Sequence, residues 1–302
     1  MNNASVAIPQ SGIFALGTPA HTYLEFDRTT GTDAGRLASA VALLTARHLT
    51  TTGVNLVVGF RPTLWGQVAA GASPTDIADF DTPIEGPDGC TMAATQHDLL
   101  LWIAGGDTSA VFDAAIELIT SLADAAALAD ETTGWGYHRD LDLTGFIDGI
   151  ENPPLSEVPA KALVQAGARG EGGSVLLLQK WAHDSAAWGA LTVAEQERVI
   201  GRRKADGVEL PDRPETSHVA RTDQAEFGTI FRRNTAYGSA SEHGTMFVGF
   251  SAAQAPLASM LQSMAGITTG ERDALTSYAR AVTGSFYFVP SLDDLNRLLS
   301  CS

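Results

Sequence analysis

The first half of the chain alternates between strand-like and helix-like patterns of hydrophobic residues. Thr22, Leu24 and Phe26 recur at every second position, which is the period of a strand, whereas Leu37 and Val41 recur at helical spacing. The predicted strands cover residues 21–27, 53–60, 97–105 and 128–138, and the predicted helices cover residues 33–48 and 108–126. This order, β-α-β-β-α-β, is the ferredoxin-like arrangement.

The second half predicts the same order of elements. Its predicted strands cover residues 173–183, 228–237, 245–251 and 285–290, and its predicted helices cover residues 192–204, 254–264 and 271–282. Pro153 and Pro154 interrupt regular structure between the halves. We therefore predict an α+β fold of two ferredoxin-like modules, residues 1–140 and 141–302. Their antiparallel sheets lie side by side in a barrel-like arrangement, with a cleft between sheet and helices for a large ligand.

Charge and cysteine content restrict the partners and the location that we expect. Acidic residues outnumber basic ones by 35 to 19, for a net charge of −16, which disfavours nucleic acid and anionic membranes as partners. The first 14 residues carry no basic residue or long apolar run, so we expect no signal peptide, and no later apolar stretch would span a bilayer. The two cysteines, Cys90 and Cys301, could pair but suit a reducing compartment, so we predict a cytoplasmic protein.

The segment GFIDGIENPP, residues 145–154, is the first candidate for chemistry. Glycines on both sides of Asp148 would let the backbone approach a flat ligand and hold the carboxylate in one orientation. The alternative is an ordinary turn with a solvated aspartate. Composition alone does not decide between these two interpretations.

The segment TIFRRNTAYG, residues 229–238, is the second candidate. If it forms a strand, Arg232 and Asn234 share one face and Arg233 points to the other. The two arginines are then either surface charges or one surface charge beside one buried, functional group. The seven histidines include no pair at the His-x-x-x-His spacing of a helical metal site, so spacing does not select a ligand among them.

Together these motifs resemble the dye-decolourising (DyP-type) peroxidase family, and in particular its bacterial cytosolic subgroup. GFIDGIENP resembles the Gly-x-x-Asp-Gly motif of the family, TSHVARTD (residues 216–223) its proximal histidine segment and FRRNTAYG its distal arginine segment. Further similar blocks follow the family order at residues 95–103, 196–210, 244–250 and 281–291. The resemblance therefore covers most of the chain.

The resemblance implies one non-covalent haem b per chain, bound mainly by the C-terminal module. His218 would be the axial ligand of the iron, and Asp273 would accept a hydrogen bond from its other ring nitrogen. Asp148 would move the peroxide proton, Arg232 would stabilise negative charge, and Asn234 would orient a water. The other residues expected at the haem are Gly149, Ile150, Glu151 on an access channel and Arg221 near the propionates. Phe247 or Phe250 would pack on the porphyrin; the alternative is that they are ordinary core residues.

The function implied by the resemblance is reduction of hydrogen peroxide through a ferryl intermediate, with oxidation of dyes, phenols or other organic reductants. We expect a homo-oligomer. The alternative is a haem-binding protein, a carrier or one that releases iron from haem, which would use the same His218 without peroxidase turnover. A third interpretation is a ferredoxin-like binding module without a cofactor.

Overall fold

The computed structural model describes residues 7–51, 53–138 and 141–300, with residues 47–51 described by their backbone alone. Cys301, and with it any pairing with the buried Cys90, lies outside the described residues. The predicted boundary between residues 140 and 141 borders the second gap and stays a prediction.

Twelve strands and ten α-helices form within the described residues. The strands are β1 (Ala20–Arg28), β2 (Val54–Phe60), β3 (Ile84–Glu85), β4 (Thr91–Met92), β5 (Leu99–Gly105), β6 (Ala126–Trp135), β7 (Ser174–His183), β8 (Phe231–Arg232), β9 (Thr235–Gly238), β10 (His243–Ser251), β11 (Ala279–Ala281) and β12 (Ser285–Val289). The helices are α1 (Ala34–Thr51), α2 (Pro62–Val68), α3 (Thr108–Leu122), α4 (Val158–Ala162), α5 (Ser185–Ala190), α6 (Val193–Ile200), α7 (His218–Arg221), α8 (Gln224–Phe227), α9 (Gln254–Ala265) and α10 (Leu292–Ser300).

Eight antiparallel strands close into a barrel. Each half supplies four of them, in the order β2-β5-β1-β6 from the first half and β12-β7-β10-β9 from the second. The two halves join where Phe288 pairs with Phe60, and where Gly134 and Trp135 pair with β9. Strands β8 and β11 extend the sheet beside β10 and β7. The fold predicted from the sequence, two ferredoxin-like modules forming a barrel-like sheet, is confirmed.

Local capping interactions set the helix ends. Asp107 precedes α3, and its side chain accepts a hydrogen bond from the backbone of Ala110. Helix α6 begins with a capping box between Thr192 and Glu195 and ends at Gly201, whose φ of 95° is in the left-handed region. The helix predicted over residues 192–204 therefore stops four residues early.

Two predicted elements of the second half are wrong. Residues 271–282 do not form a helix, because Asp273 caps a short 3₁₀ turn, Ala274–Ser277, and the chain then pairs with β7 as β11. The strand predicted over residues 228–237 is interrupted between β8 and β9. There the side chain of Asn234, rather than a backbone carbonyl, accepts the hydrogen bond from the backbone of Val248. Helix α10 has no counterpart in the sequence-based prediction.

The two faces of β10 have different surroundings. Met246, Val248 and Phe250 face the barrel interior, in one apolar cluster with residues of β5 and β12. Phe247 faces outward, where it packs with residues of α9. The outer face of β7 and β10 thus forms one wall of a space that α7 and α9 close on the other side.

In the described part of the chain, no helix combines the length and the apolar character needed to cross a bilayer. The longest, α1, has 18 residues.

We predict that Gly244→Ala destabilises the fold at the pairing of β10 with β7. A Cβ at this position would lie 1.8 Å from the backbone oxygen of Trp181, and backbone atoms cannot move aside as a flexible side chain can. Overpacking of this kind costs about 1–3 kcal/mol in the free energy of unfolding, measured by chemical denaturation. Gly189→Ala in α5, where a Cβ meets nothing within 4 Å, is the control. Equal stability of the two variants would contradict the prediction.

Candidate active site

A large cavity lies between the outer face of the sheet and the helices α7 and α9. It measures about 1260 Å³ when counted to its open mouth. Its apolar lining comes from both sides: Leu177, Trp181 and Phe247 from the sheet, and Leu257, Met260, Leu261 and Met264 from α9. Such a concave, mostly apolar space with a few polar groups is typical of a cofactor site.

His218 enters this cavity from the first position of α7. Its Nδ1 lies 2.7 Å from Oδ2 of Asp273, which is fully buried. The second oxygen of Asp273 accepts a hydrogen bond from the backbone of Leu275, so the carboxylate is held from two sides. Nδ1 therefore donates its hydrogen to Asp273, and Nε2 keeps a lone pair. This is the arrangement in which a histidine commonly binds a metal ion.

Asp148 and Arg232 form the polar pair of the same cavity, 3.4 Å apart. Gly149, with a φ of 75°, turns the chain so that its backbone N–H donates to Oδ1 of Asp148 at 2.8 Å. Asn152 holds the backbone of Arg232 through two hydrogen bonds, of 2.8 and 2.9 Å. Nε of Arg232 is buried and has no partner among the described residues, so the guanidinium has capacity for a ligand.

A second, more polar cavity of about 1050 Å³ adjoins the first. Five residues line both cavities: Asp142, Asp148, Arg232, Asn234 and Thr245. Gly149 lines only the second cavity, through the turn that positions Asp148. The pair of Asp148 and Arg232 can therefore be reached from a polar side as well as from the apolar cavity.

The mouth of the large cavity carries an ion pair and an apolar rim. Glu151 accepts a hydrogen bond from Arg202 at 2.5 Å, and both side chains line the cavity. Ile147 and Ile150 line it too, although each is about two-fifths exposed. Arg202 was not identified from the sequence, where it stands in a basic run that is typical of a solvated surface.

One residue expected at the haem lies elsewhere. Phe250 faces the barrel interior, where its ring stacks with Trp102 at 6.2 Å, because even-numbered residues of β10 point inward. The expectation that Phe250 packs on the porphyrin is therefore corrected, whereas Phe247 does line the cavity. Arg221 is buried between the cavity-lining residues Val219 and Thr222, and its Nε has no partner among the described residues, so its expected position near the propionates stays a prediction.

Arg233 points away from the large apolar cavity, as expected from strand alternation, and borders the second, more polar one. Its guanidinium donates to the backbone oxygens of Gly12, Ile13 and Ala15, so it fastens the N-terminal segment to the barrel. Burial lowers the pKa of Arg233 to about 10, which leaves it charged at neutral pH. Its role is structural.

Three further residues of the cavity wall were missed in the sequence: Gln179, His183 and Thr245. Gln179, Trp181 and His183 alternate along β7 and so share its outward face. That alternation was visible in the sequence. The sequence did not show which face of the strand would be covered by helices and which would face the barrel interior.

Two family models match the chain. One, described as Dyp-type peroxidase, N-terminal, matches residues 10–136, and the other, Dyp-type peroxidase, C-terminal, matches residues 139–294. The dye-decolorizing peroxidase of Mycobacterium tuberculosis is 35% identical over 257 residues, which are 82% of this chain and 76% of that protein. The dye-decolorizing peroxidase of Brevibacterium linens is 33% identical over 253 residues, 80% of this chain and 68% of the relative.

Solved structures of Dyp-type peroxidases are also similar to this chain. A Dyp-type peroxidase protein from Shewanella oneidensis has a TM-score of 0.88 at 29% identity, covering 96% of this chain and 98% of its own. DyPB from Rhodococcus jostii has a TM-score of 0.82 at 32% identity, covering 95% and 97%. A variant of the latter, solved in complex with haem, is 31% identical with a TM-score of 0.82 and covers 98% of each chain.

We predict that Asn152→Ala destabilises the site through the backbone of Arg232. The substitution leaves an N–H and a carbonyl without their partner, which costs about 1–3 kcal/mol in the free energy of unfolding. Denaturant titration measures the loss. Asn296→Ala, on the exposed face of α10, is the control and should keep wild-type stability. Wild-type stability of Asn152→Ala as well would show that these two hydrogen bonds do not hold the site.

Proposed function

This chain belongs to the Dyp-type peroxidase family and is a haem peroxidase, and we propose that it binds one non-covalent haem b per chain in the apolar cavity, with His218 as the axial ligand. The observation that carries the proposal is the arrangement of His218 with Asp273 on the helical side of the cavity and of Asp148 with Arg232 near the sheet. Hydrogen peroxide is the oxidant, and organic molecules are the reductants.

The residues present fit a haem. The lining is apolar enough for a porphyrin, and Nε2 of His218 has a lone pair for iron. The buried Nε of Arg232 has no hydrogen-bond partner among the described residues, and a ligand in the cavity could accept its hydrogen bond. The sequence has no Cys-x-x-Cys-His motif for covalent attachment, which supports the b type. When bound, haem supplies an iron that takes up oxidising equivalents from peroxide and returns them to reductants as single-electron steps.

Asp273 orients the imidazole of His218 and makes it more electron-donating, because the carboxylate draws the Nδ1 hydrogen toward itself. Asp148 accepts the first proton of peroxide and delivers it to the leaving oxygen. Arg232 keeps its proton throughout and stabilises the negative charge that develops on that oxygen. Asn234, whose Oδ1 is engaged by the backbone of Val248, has its amide hydrogens available to orient a water.

Haem contacts at the mouth of the cavity come from Ile150, Glu151 and Arg202. We assign the haem carboxylates to Arg202, which lines the cavity, and keep Arg221, whose buried Nε has no partner among the described residues, as a second candidate. Glu151 pairs with Arg202 and borders the access route. Phe247 packs against the porphyrin from the sheet.

We propose dyes and phenols as the reductants; the name of the relatives, dye-decolorizing peroxidase, supports the dyes. We also propose a homo-oligomer, because Phe112 and Ile116 are exposed apolar neighbours on one face of α3. The cytoplasmic location stays a prediction.

We predict that His218→Ala loses most bound haem, because the only axial ligand that we propose is removed. The measurement is the ratio of Soret to protein absorbance after purification with added haem. His97→Ala is the control, since His97 lies outside the cavity and pairs with Asp27. Full haem occupancy with an unchanged spectrum in His218→Ala would reject the assignment.

We predict that Arg232→Leu slows the reaction of the haem-loaded protein with peroxide by about 10²-fold or more, the effect of losing one preorganised charged donor. Stopped-flow absorbance at the Soret band measures the rate. Arg203→Leu, a change on the surface, should react at the wild-type rate. A wild-type rate in Arg232→Leu would remove Arg232 from the mechanism, whereas only slow bleaching of the wild type itself by peroxide would favour the haem-carrier alternative.

A further inference from the structure

Three polar residues other than Asp148 and Arg232 form a connected group on the cavity wall. His183 ends β7, Thr245 lies on the neighbouring β10, and Asp142 belongs to the turn that precedes Asp148. All three line the large cavity, and Thr245 is buried. The peroxide chemistry proposed above leaves the three without a role.

The hydrogen bonds of this group fix the tautomer of His183. The Thr245 hydroxyl donates to Oδ2 of Asp142 at 2.5 Å, and the same hydroxyl oxygen lies 3.2 Å from Nε2 of His183. A hydroxyl has a single hydrogen, and Asp142 receives it, so Nε2 of His183 must donate to Thr245. Nδ1 of His183 then carries the lone pair, and it has no hydrogen-bond partner in the described part of the chain.

The surroundings keep this imidazole neutral at neutral pH. Burial lowers the pKa of His183 below its ordinary value of 6.5; the carboxylate of Asp142 opposes this effect, and His243 on β10 adds to it. Two further charged residues lie near His183 along the chain and on the paired strand: the side chain of Asp184 caps α5, and Arg280 of β11 is exposed. His183 is therefore a free base at pH 7 that is held in one orientation.

We propose that His183 is the proton acceptor for phenolic reductants that enter the cavity, a role that rests on the peroxidase function proposed above. As the phenolic O–H bond breaks, its proton goes to Nδ1 of His183 and one electron goes to the haem that peroxide has oxidised; a phenoxyl radical leaves. Water then removes the proton from the imidazolium. Asp142 and Thr245 are positioning residues, because they act through the ring of His183 and do not touch the phenol.

The test compares a reductant that loses a proton with one that does not. 4-Methoxyphenol loses a proton and an electron, whereas ferrocenemethanol, which is also uncharged, loses only an electron. We expect His183→Gln to lower the ratio of kcat/KM for the phenol to that for ferrocenemethanol by about 10²-fold at pH 7, the usual contribution of one general base. An unchanged ratio, whether both rates fall together or neither does, overturns the proposal.

Matched variants of Thr245 test the positioning role. Thr245→Val removes the hydroxyl with little change of shape and should lower the same ratio, whereas Thr245→Ser keeps the hydroxyl and should restore it. Equal ratios in these two variants would remove Thr245 and Asp142 from the proposal. The Soret spectrum of each haem-loaded variant shows whether the cavity still holds its cofactor.

The pH profile supplies an independent measurement. Protonation of His183 removes the base, so the wild-type rate with the phenol should fall as pH drops through a value below 6.5, and the rate with ferrocenemethanol should not show this decline. His183→Gln should lose the difference between the two profiles. If the wild type oxidises neither reductant with peroxide, the peroxidase function fails and this proposal with it. If it oxidises ferrocenemethanol and the ratio is unchanged in His183→Gln, only this proposal fails.

Discussion

The antiparallel pairing of β7 with β10 is the constraint on which the site depends, because it closes the barrel and creates the wall of the cavity. Gly244 permits this pairing by allowing its backbone to approach that of Trp181. Once the two strands are joined, alternate residues divide between two environments. Those facing inward fill the barrel, and those facing outward, such as Phe247, meet the helices α7 and α9 across the cavity.

The two sides of the cavity carry different polar groups, and each side includes a carboxylate. Asp273, fully buried, orients His218 so that one ring nitrogen remains free for iron. Asp148, held by the turn at Gly149, lies 3.4 Å from Arg232, on the side of the cavity where we propose that peroxide reacts. In the function that we propose, the same residue type serves as a hydrogen-bond acceptor at Asp273 and as a proton carrier at Asp148.

The sequence predicted the fold well where hydrophobic period and element order were regular. It was wrong over residues 271–282, where the capping side chain of Asp273 and pairing with β7 outweighed an apolar pattern at helical spacing. It predicted that Arg232 and Asn234 share a face, because alternation survives the break in the strand. The sequence could not show that Phe247, rather than Phe250, lines the cavity. Both residues are apolar, and only tertiary packing decides which face of β10 the helices cover.

The residues that sequence analysis did not identify were missed for one reason. Arg202, His183 and Thr245 acquire their significance from partners that are distant in the chain, so no local motif marks them. The most direct test of the account is a crystal structure of the haem-loaded protein. We expect the iron to be bound by Nε2 of His218, with the porphyrin between the sheet and α9 and with Arg232 on the opposite face. A haem bound elsewhere, or an iron with another axial ligand, would contradict the account.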